Sequence, residues 1–170
     1  MQLGLIFFAW GVLVGLSSVF LVEFMRKRIA PVPLILGNSV LLVIDFLLIA
    51  FIYNAPVATV LIIISGILCG LNNALFTSLA IEVSPFTRSI SSGAYNFLRW
   101  AGAAFAPWLA GLLTKNVGPS MPYVLGAIVL VCGLILLQVR KHHIENGLAD
   151  KGEGVHGELL PILEPEELPV

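Results

Sequence analysis

Residues 93–111 read GAYNFLRWAGAAFAPWLAG, an apolar run that contains a tyrosine, an asparagine and an arginine within five positions. If the run is a helix, Tyr95 and Asn96 precede Arg99 by about one turn and lie on the same face. A guanidinium beside an amide and a phenol can bind an anionic group, or can line a path for protons or a polar substrate. Arg99 could also be neutralised by a buried carboxylate for assembly, and both interpretations stay open.

Three more polar residues lie inside other apolar runs. Asn72 and Asn73 are adjacent, and on a helix their side chains point about 100° apart, so we expect at least one of them to face a polar cavity. The residues three or four positions before and after Asp45 are leucine and isoleucine. Asp45 could be a proton carrier, or a structural acid that is protonated or paired. With the polar residues of 93–111, the two asparagines form the predicted substrate or proton pathway.

Other chemistries find little support in the sequence. His142, His143 and His156 have no cysteine or carboxylate at ligand spacing on a defined scaffold, so we predict no metal site and no cofactor. The motifs H-E-x-x-H and G-x-S-x-G are not found, nor are paired carboxylates suited to a membrane-embedded reaction, so we do not predict an enzyme. The net charge of -1 and the lack of a basic face argue against nucleic acid as a partner.

The composition indicates that membrane helices position the polar residues. Hydrophobic residues make up 58% of the chain and charged residues only 11%, whereas a soluble domain carries about 25% charged residues. Crossing the hydrocarbon core takes about 20 mostly apolar residues in a helix. Runs of that length are 3–22, 33–53, 57–80, 89–113 and 119–139. We therefore predict an all-α membrane protein in which residues 1–139 form a bundle of five transmembrane helices in the lipid bilayer.

Arg99 lies near the bilayer centre in this arrangement. It follows the start of the fourth span by about ten residues, roughly 15 Å of helix. An arginine at that depth costs at least about 2.5 kcal/mol on insertion scales. Pro107, further along the same span, frees the carbonyl of Ala103 as a hydrogen-bond acceptor. This face of the span is therefore expected to contact protein or water and not lipid.

Small residues recur at helical spacing on the first and third spans, and each of these spans contains a G-x-x-x-G motif. Glycines at this spacing let two helix backbones approach closely. In the fourth span a glycine and a proline are assigned the same role. The residues predicted to pack helices together are Gly11, Gly15, Gly66, Gly70, Gly102 and Pro107.

The distribution of Lys and Arg predicts the orientation of the spans. Basic residues concentrate on the cytoplasmic side of membrane proteins. The ends after spans one, three and five carry six basic residues near the membrane, whereas the opposite side carries one. The N-terminus is therefore predicted to lie on the outer side of the cell membrane. Residues 140–170 are predicted to form a cytoplasmic, largely disordered acidic tail, after a helical extension to about Asn146.

Charged residues at the predicted cytoplasmic ends of the first and third spans could form a gate or loop clamp. The two glutamates could pair with arginines of the neighbouring loops, or they could simply be solvated. The residues of this predicted gate are Glu23, Arg26, Arg28, Glu82 and Arg88.

Two segments resemble the C-terminal half of the major facilitator superfamily. The segment SPFTRSISSGAYNFLRWAGAAFAPWLAG resembles the region of the tenth and eleventh helices in bacterial exporters of the drug:proton antiporter type. The segment EFMRKRIAP is similar to the basic loop between the eighth and ninth helices, with Glu23 in place of the usual aspartate. The resemblance covers residues 2–139 and makes the five spans helices eight to twelve.

This resemblance implies that the spans form most of a six-helix C-terminal bundle. The third span would line the central cavity, the first and fourth would face an N-terminal half, and the second span with Asp45 would be peripheral. The implied function is the C-terminal portion of a proton-coupled efflux pump that works by alternating access. Its partners would be the N-terminal half, a small-molecule substrate and protons, so we expect a part of a longer transporter or a truncated gene product. The alternative is a membrane scaffold or assembly protein without transport activity.

The predicted orientation can be tested by thiol labelling of a cysteine-free variant. Ala55→Cys should react with a membrane-impermeant reagent added to intact cells, because it lies in the connection between the second and third spans. Lys27→Cys should react only in inverted vesicles, because it belongs to the basic, cytoplasmic side. The reverse labelling pattern would contradict the orientation.

Overall fold

Every regular element in the described part of the chain is a helix. The computed structural model describes the backbone of residues 2–163 and the side chains of residues 3–142 and 144. A five-residue π-helical segment, Ser17–Leu21, joins the first two α-helices without a break. The α-helices are α1 (Gln2–Leu16), α2 (Val22–Arg26), α3 (Pro31–Phe51), α4 (Ala55–Val83), α5 (Arg88–Asn116) and α6 (Met121–Leu163).

Four helical stretches are long and apolar enough to cross a membrane. They are Leu3–Arg26, Pro31–Phe51, Ala55–Val83 and Met121–His142. The fifth long helix, α5, has 29 residues but is not among the four, because its polar residues and glycines lower its hydropathy. The predicted class, an all-α membrane protein, is confirmed, and α5 corresponds to the predicted fourth span.

Prolines and a glycine define the helix boundaries. Pro31 begins α3 and Pro56 lies in the first turn of α4, where a missing backbone N–H removes no helical hydrogen bond. Between α5 and α6, the backbone N–H groups of Val117 and Gly118 both donate to the carbonyl of Leu113, at 2.9 and 3.1 Å. Gly118 has a φ of +147°, which residues with a side chain rarely adopt, so this turn requires glycine.

The helix α4 is the centre of the bundle. It contacts every other helix of the described chain, whereas α5 contacts only α4 and α6. The helices α1 and α3 pack on α4, and α6 packs mainly on α3. A cluster of buried apolar side chains lies where α3 meets α4: Leu34, Ile35, Leu71, Leu75 and Leu79. The core therefore lies between the second and third spans.

Two glycines of α4 allow a close approach to the first helix. A Cβ atom added to Gly66 would lie 2.7 Å from the carbonyl oxygen of Trp10. A Cβ atom added to Gly70 would lie 2.5 Å from the carbonyl oxygen of Val14, and it would also collide with the hydroxyl of Ser17. The G-x-x-x-G motif of α4 thus lies directly against the α1 backbone, as expected for small residues at helix crossings.

The other predicted packing residues do not meet a neighbouring helix within the described chain. Cβ atoms added to Gly11, Gly15 or Gly102 would have no atom within 4 Å, and Pro107 lies in an exposed stretch of α5. The first helix meets α4 through a different side, which carries Trp10. Spacing identifies a stripe of small residues, but it does not identify the surface that the stripe meets.

A close contact between α3 and α6 has no motif in the sequence. A Cβ atom added to Gly126 would lie 2.9 Å from the ring of Phe46. The same ring meets Tyr123 edge-on, with the ring centroids 6.4 Å apart. Ala127 is buried beside this contact, at 3% exposure. Gly126 has no second glycine four residues away, so the G-x-x-x-G pattern could not reveal it.

The π-helical segment changes which side of the first span faces α4. In an uninterrupted α-helix each residue turns by about 100°, so Arg26 would lie roughly 180° from Ser17. A π-helical turn holds about one additional residue, which reduces this offset to about 80°. Arg26 can therefore bond to Ser78 and Glu82 on α4, while Ser17 still lies against Gly70 on the same helix.

The last helix continues beyond the predicted span. Its backbone is helical to Leu163, further than the extension to about Asn146 that the sequence predicted. Most side chains of 140–170 lie outside the described residues, as does the backbone of 164–170. The cytoplasmic position and largely disordered character of this acidic tail stay predictions.

Gly70→Ala should destabilise the bundle, because the added Cβ would collide with the backbone of Val14 and the side chain of Ser17. Overpacking of this kind typically costs about 1–3 kcal/mol. Gly11→Ala is the matched control, since its Cβ would have no atom within 4 Å, and its stability should be unchanged. Thermal unfolding in detergent compares the two variants, and equal melting temperatures would contradict the contact.

Deletion of Val19, an exposed residue of the π-helical segment, should convert this turn to α-helix and keep Arg26 facing Glu82. Deletion of Val12, an exposed residue of α1, should rotate the two parts of the span by about 100° and destabilise the protein. Cross-linking of Arg26→Cys to Glu82→Cys and thermal unfolding measure these effects. Loss of the cross-link after deletion of Val19 would show that the segment does not set the register.

Candidate functional site

The polar residues of α5 lie on an exposed helix. Arg99 is exposed, and its guanidinium carbon lies 5.5 Å from the centroid of the Trp100 ring, within the range of a cation–π interaction. The side-chain amide of Asn96 donates to the hydroxyl of Ser92 at 3.4 Å. These contacts are local to α5, so they leave the guanidinium N–H groups available to an anionic group.

Arg99 has no carboxylate partner among the described side chains. The helix α5 contacts only α4 and α6. In the described part of those two helices the acidic side chain is Glu82, and it pairs with Arg26 at 2.9 Å. A structural ion pair of Arg99 within the described chain is therefore not observed.

Asn72 and Asn73 have different surroundings, as the angle between adjacent helical residues predicts. Asn72 is buried, and its Oδ1 accepts hydrogen bonds from Asn38 Nδ2 at 2.8 Å and Ser39 Oγ at 3.3 Å. Asn38 Nδ2 also donates to the carbonyl of Leu68 at 2.9 Å. Asn72 thus joins α3 to α4 in this conformation, and its predicted role in the substrate or proton pathway stays a prediction.

Asn73 is the asparagine with bonding capacity left. It is half-buried, and its Oδ1 is enclosed without a hydrogen-bond partner among the described residues. Its backbone carbonyl accepts a hydrogen bond from the hydroxyl of Thr77 at 2.6 Å. A buried amide oxygen without a donor costs about 1–3 kcal/mol. Asn73 is therefore suited to accept a hydrogen bond from a ligand, from water or from another helix.

Asp45 is buried on α3, at 5% exposure. Its Oδ2 atom has no hydrogen-bond partner among the described residues. It lies two helical turns from Asn38 and therefore on the same face of α3, which packs against α4. Cys69 of α4 is close enough to interact with it electrostatically. The acid of the second span thus faces the interior of the bundle, although the family resemblance implied that this span is peripheral.

The predicted gate residues are brought together only in part. Arg26 donates to Glu82 Oε1 at 2.9 Å and to Ser78 Oγ at 2.8 Å, and Ser78 Oγ donates to Glu82 at 2.7 Å. The two charged side chains are 36% and 31% exposed, and pairs this accessible contribute about 0–1 kcal/mol. This clamp joins the ends of α2 and α4, and it is weak enough to open during a conformational change.

The remaining gate residues lie outside the clamp. Glu23, Arg28 and Arg88 are exposed. The guanidinium of Arg28 lies over the ring of Phe24, 4.8 Å from its centroid. These three side chains are positioned at the same end of the bundle as the clamp, without an ion pair between them in the described chain.

Tyr95 lines an apolar groove between α4, α5 and α6. The groove has a volume of about 360 Å³ and includes Phe76, Val83 and Leu137. A second groove, of about 410 Å³, lies beside the π-helical segment and is lined by Phe20 and other apolar side chains. Concave apolar surfaces with a few polar groups at the edge are typical of small-molecule sites.

Several participants were not predicted from the sequence. Asn38 and Ser39 hold Asn72, and Ser78 completes the clamp. Two signals were available: Asn38 and Asp45 are seven residues apart, and Ser78 precedes Glu82 by four, so each pair shares a helix face. The pairing across helices had no such signal, because it depends on how the helices pack.

No group of three or more His, Cys, Asp or Glu side chains that could hold a metal ion is found in the described part of the chain. His142 is exposed, and the side chains of His143 and His156 lie outside the described residues.

Comparisons with known proteins identify the family of this membrane protein. Residues 1–164 match the Major Facilitator Superfamily. The chain is 36% identical over 146 residues to the multidrug efflux protein YfmO of Bacillus subtilis (strain 168). The match covers 82% of this chain and 36% of that relative. No solved structure matches the chain.

These matches extend almost throughout the chain and confirm the resemblance to the superfamily, whereas the assignment of the spans to its helices eight to twelve stays a prediction. The matched length includes α1 to α5 and the membrane-spanning part of α6. The chain spans about a third, 36%, of the length of the curated relative. The protein belongs to the Major Facilitator Superfamily.

Proposed function

We propose that this chain is the C-terminal portion of a proton-coupled exporter of small molecules in the cell membrane. Membership of the superfamily indicates a transporter and not an enzyme, and the relative named as a multidrug efflux protein supports export. The observation that carries the proposal is Arg99, an exposed guanidinium near the middle of a 29-residue helix.

The surface around Arg99 supports the presence of a partner half. Large apolar side chains are widely exposed along α5: Phe97, Leu98, Trp100, Phe105 and Trp108. Lipid would accept these side chains but would penalise Arg99. A second bundle that encloses a water-filled cavity accepts both kinds of residue. Alternating access also needs two repeats that move around a central site, which is the role proposed for an N-terminal half.

The packing within this half supports a rigid-body movement. The α4 glycines lie against the α1 backbone, Asn72 bonds to α3, and α6 packs on α3 through the ring of Phe46. The helix α5 has fewer neighbours, since within the described residues it contacts only α4 and α6. We therefore assign α1, α3, α4 and α6 to the moving body and α5 to the surface that meets the partner half.

Arg99 is assigned to the substrate or proton path. Its guanidinium would bind a carboxylate of the partner half or an anionic group of the substrate, and release it as the halves move. Asn96 and Tyr95 on the same face of α5, and Asn73 on α4, would supply neutral hydrogen bonds beside this charge. The clamp between Arg26 and Glu82 would close the predicted cytoplasmic end in one conformation.

The experiment measures export by the chain co-expressed with an N-terminal half, normalised to the amount of protein in the membrane. Arg99→Gln removes the charge, and because hydrogen bonds to charged groups contribute about 1.5–3 kcal/mol, export should fall about ten- to hundredfold. Arg99→Lys keeps the charge but loses the planar fork, so weak export should remain. Lys115→Gln is the matched control, since Lys115 is an exposed residue near the end of the same helix.

Three outcomes would contradict all or part of this proposal. Normal export per molecule in Arg99→Gln, with less protein in the membrane, would make Arg99 a structural residue. A chain that accumulates stably by itself and never supports export with an N-terminal half would favour a scaffold or assembly protein. Export without proton movement would contradict proton coupling alone.

A further inference from the structure

A polar seam runs between α3 and α4, and its two ends differ in hydrogen bonding. We define the seam by Asn38, Ser39 and Asp45 on α3 and by Cys69 and Asn72 on α4. At one end, Asn72 Oδ1 accepts two hydrogen bonds from α3. Asp45 lies two turns, about 10 Å, further along α3. Its Oδ2 atom is enclosed and has no partner in the described chain.

The charged groups of the surrounding helices do not supply a counter-charge for the carboxylate of Asp45. On α4, Cys69 is close enough to interact with Asp45 electrostatically, and the side chain of Glu82 is engaged by Arg26 at the end of that helix. The charged residues of α2 lie near Pro31, about 20 Å away along α3. Arg99 is on α5, which makes no contact with α3. Asp45 therefore lacks a cationic neighbour among the described residues.

The titratable groups of α6 do not supply a partner either. Tyr123 packs edge-on against the ring of Phe46, and Cys132 is exposed. Arg140, Lys141 and His142 lie at the far end of the membrane-spanning part of α6. An ionised carboxylate enclosed in this way, without a counter-charge, would cost several kcal/mol. Binding a proton removes the charge and leaves a hydroxyl whose burial costs far less.

We propose that Asp45 is a proton-binding site of this half, occupied when α3 and α4 are packed as described here. A metal cation is a poor occupant, because such ions need several oxygen ligands and no acidic cluster surrounds Asp45 in the described chain. The proton leaves to water when the movement of this half brings water to the Asp45 end of the seam, while the Asn72 end stays bonded. Since α4 borders the seam and also carries Asn73, the proton site and the surface assigned to the substrate path belong to the same moving body. This inference rests on the proposed proton-coupled function.

The protonation state can be read directly by infrared spectroscopy. The chain contains two aspartates, Asp45 and Asp150. When the Asp150→Asn variant is labelled with 13C-aspartate, Asp45 is therefore the labelled residue. The labelled chain is reconstituted in lipid vesicles with an unlabelled N-terminal half. At neutral pH we expect the C=O band of a protonated, 13C-labelled carboxylic acid. Carboxylate bands in its place would overturn the proposal, and because Asp45 itself is unchanged in this sample, misfolding at that position cannot mimic the result.

Transport measurements test whether this proton moves during the cycle. Asp45→Asn should abolish the proton movement that accompanies export, and Asp45→Glu should retain part of it. Asp150→Asn is the matched control, because Asp150 follows the membrane-spanning part of α6, and it should behave as the wild type. Unchanged proton movement in a folded Asp45→Asn protein would overturn the proposal. A wild type that exports without protons, yet shows the protonated Asp45 band, would contradict the proposed coupling and leave the proton site intact.

Discussion

The close approach of α4 to the first helix, at Gly66 and Gly70, is the contact on which the rest of the arrangement depends. No side chain separates the two backbones there, so the position of α4 relative to the first span is fixed by direct van der Waals contact. With that side of α4 occupied, its other sides must meet α3, α5 and α6. Each of these neighbours contacts a different side of α4. The positions of the seam, the clamp and the surface of Asn73 depend on this arrangement.

Polar groups in this bundle fall into two sets, because hydrocarbon offers no hydrogen bonds. One set is satisfied across helices: Asn72 by α3, and Arg26 by Glu82 and Ser78. The other set lacks an interhelical partner within the described chain and comprises Asp45, Asn73 and Arg99. The first set explains how the helices are held together. The second set marks the positions where a proton, a ligand or a further protein surface would complete the bonding.

The helix α5 shows how one sequence can satisfy conflicting surroundings. It is long enough to span a membrane, yet it carries Arg99 with polar neighbours on one face and large aromatic side chains on others. Its few contacts, to α4 and α6, leave most of its surface open. Such a helix is costly in lipid alone but stable between a bundle and a water-filled cavity. The proposed contact with a partner half rests on this composition.

The sequence by itself determined the class of the protein, the helices and the family. Apolar runs of about 20 residues, the breakers between them and the segment around Arg99 were sufficient, because these depend on local composition. It also predicted that Asn72 and Asn73 would have different surroundings, since adjacent helical residues point in different directions. The tertiary structure decided which glycines pack, that Asp45 faces α4, and that Arg26 reaches Glu82. These depend on the rotation of each helix about its axis, which the π-helical segment alters and which only the contacts between helices can fix.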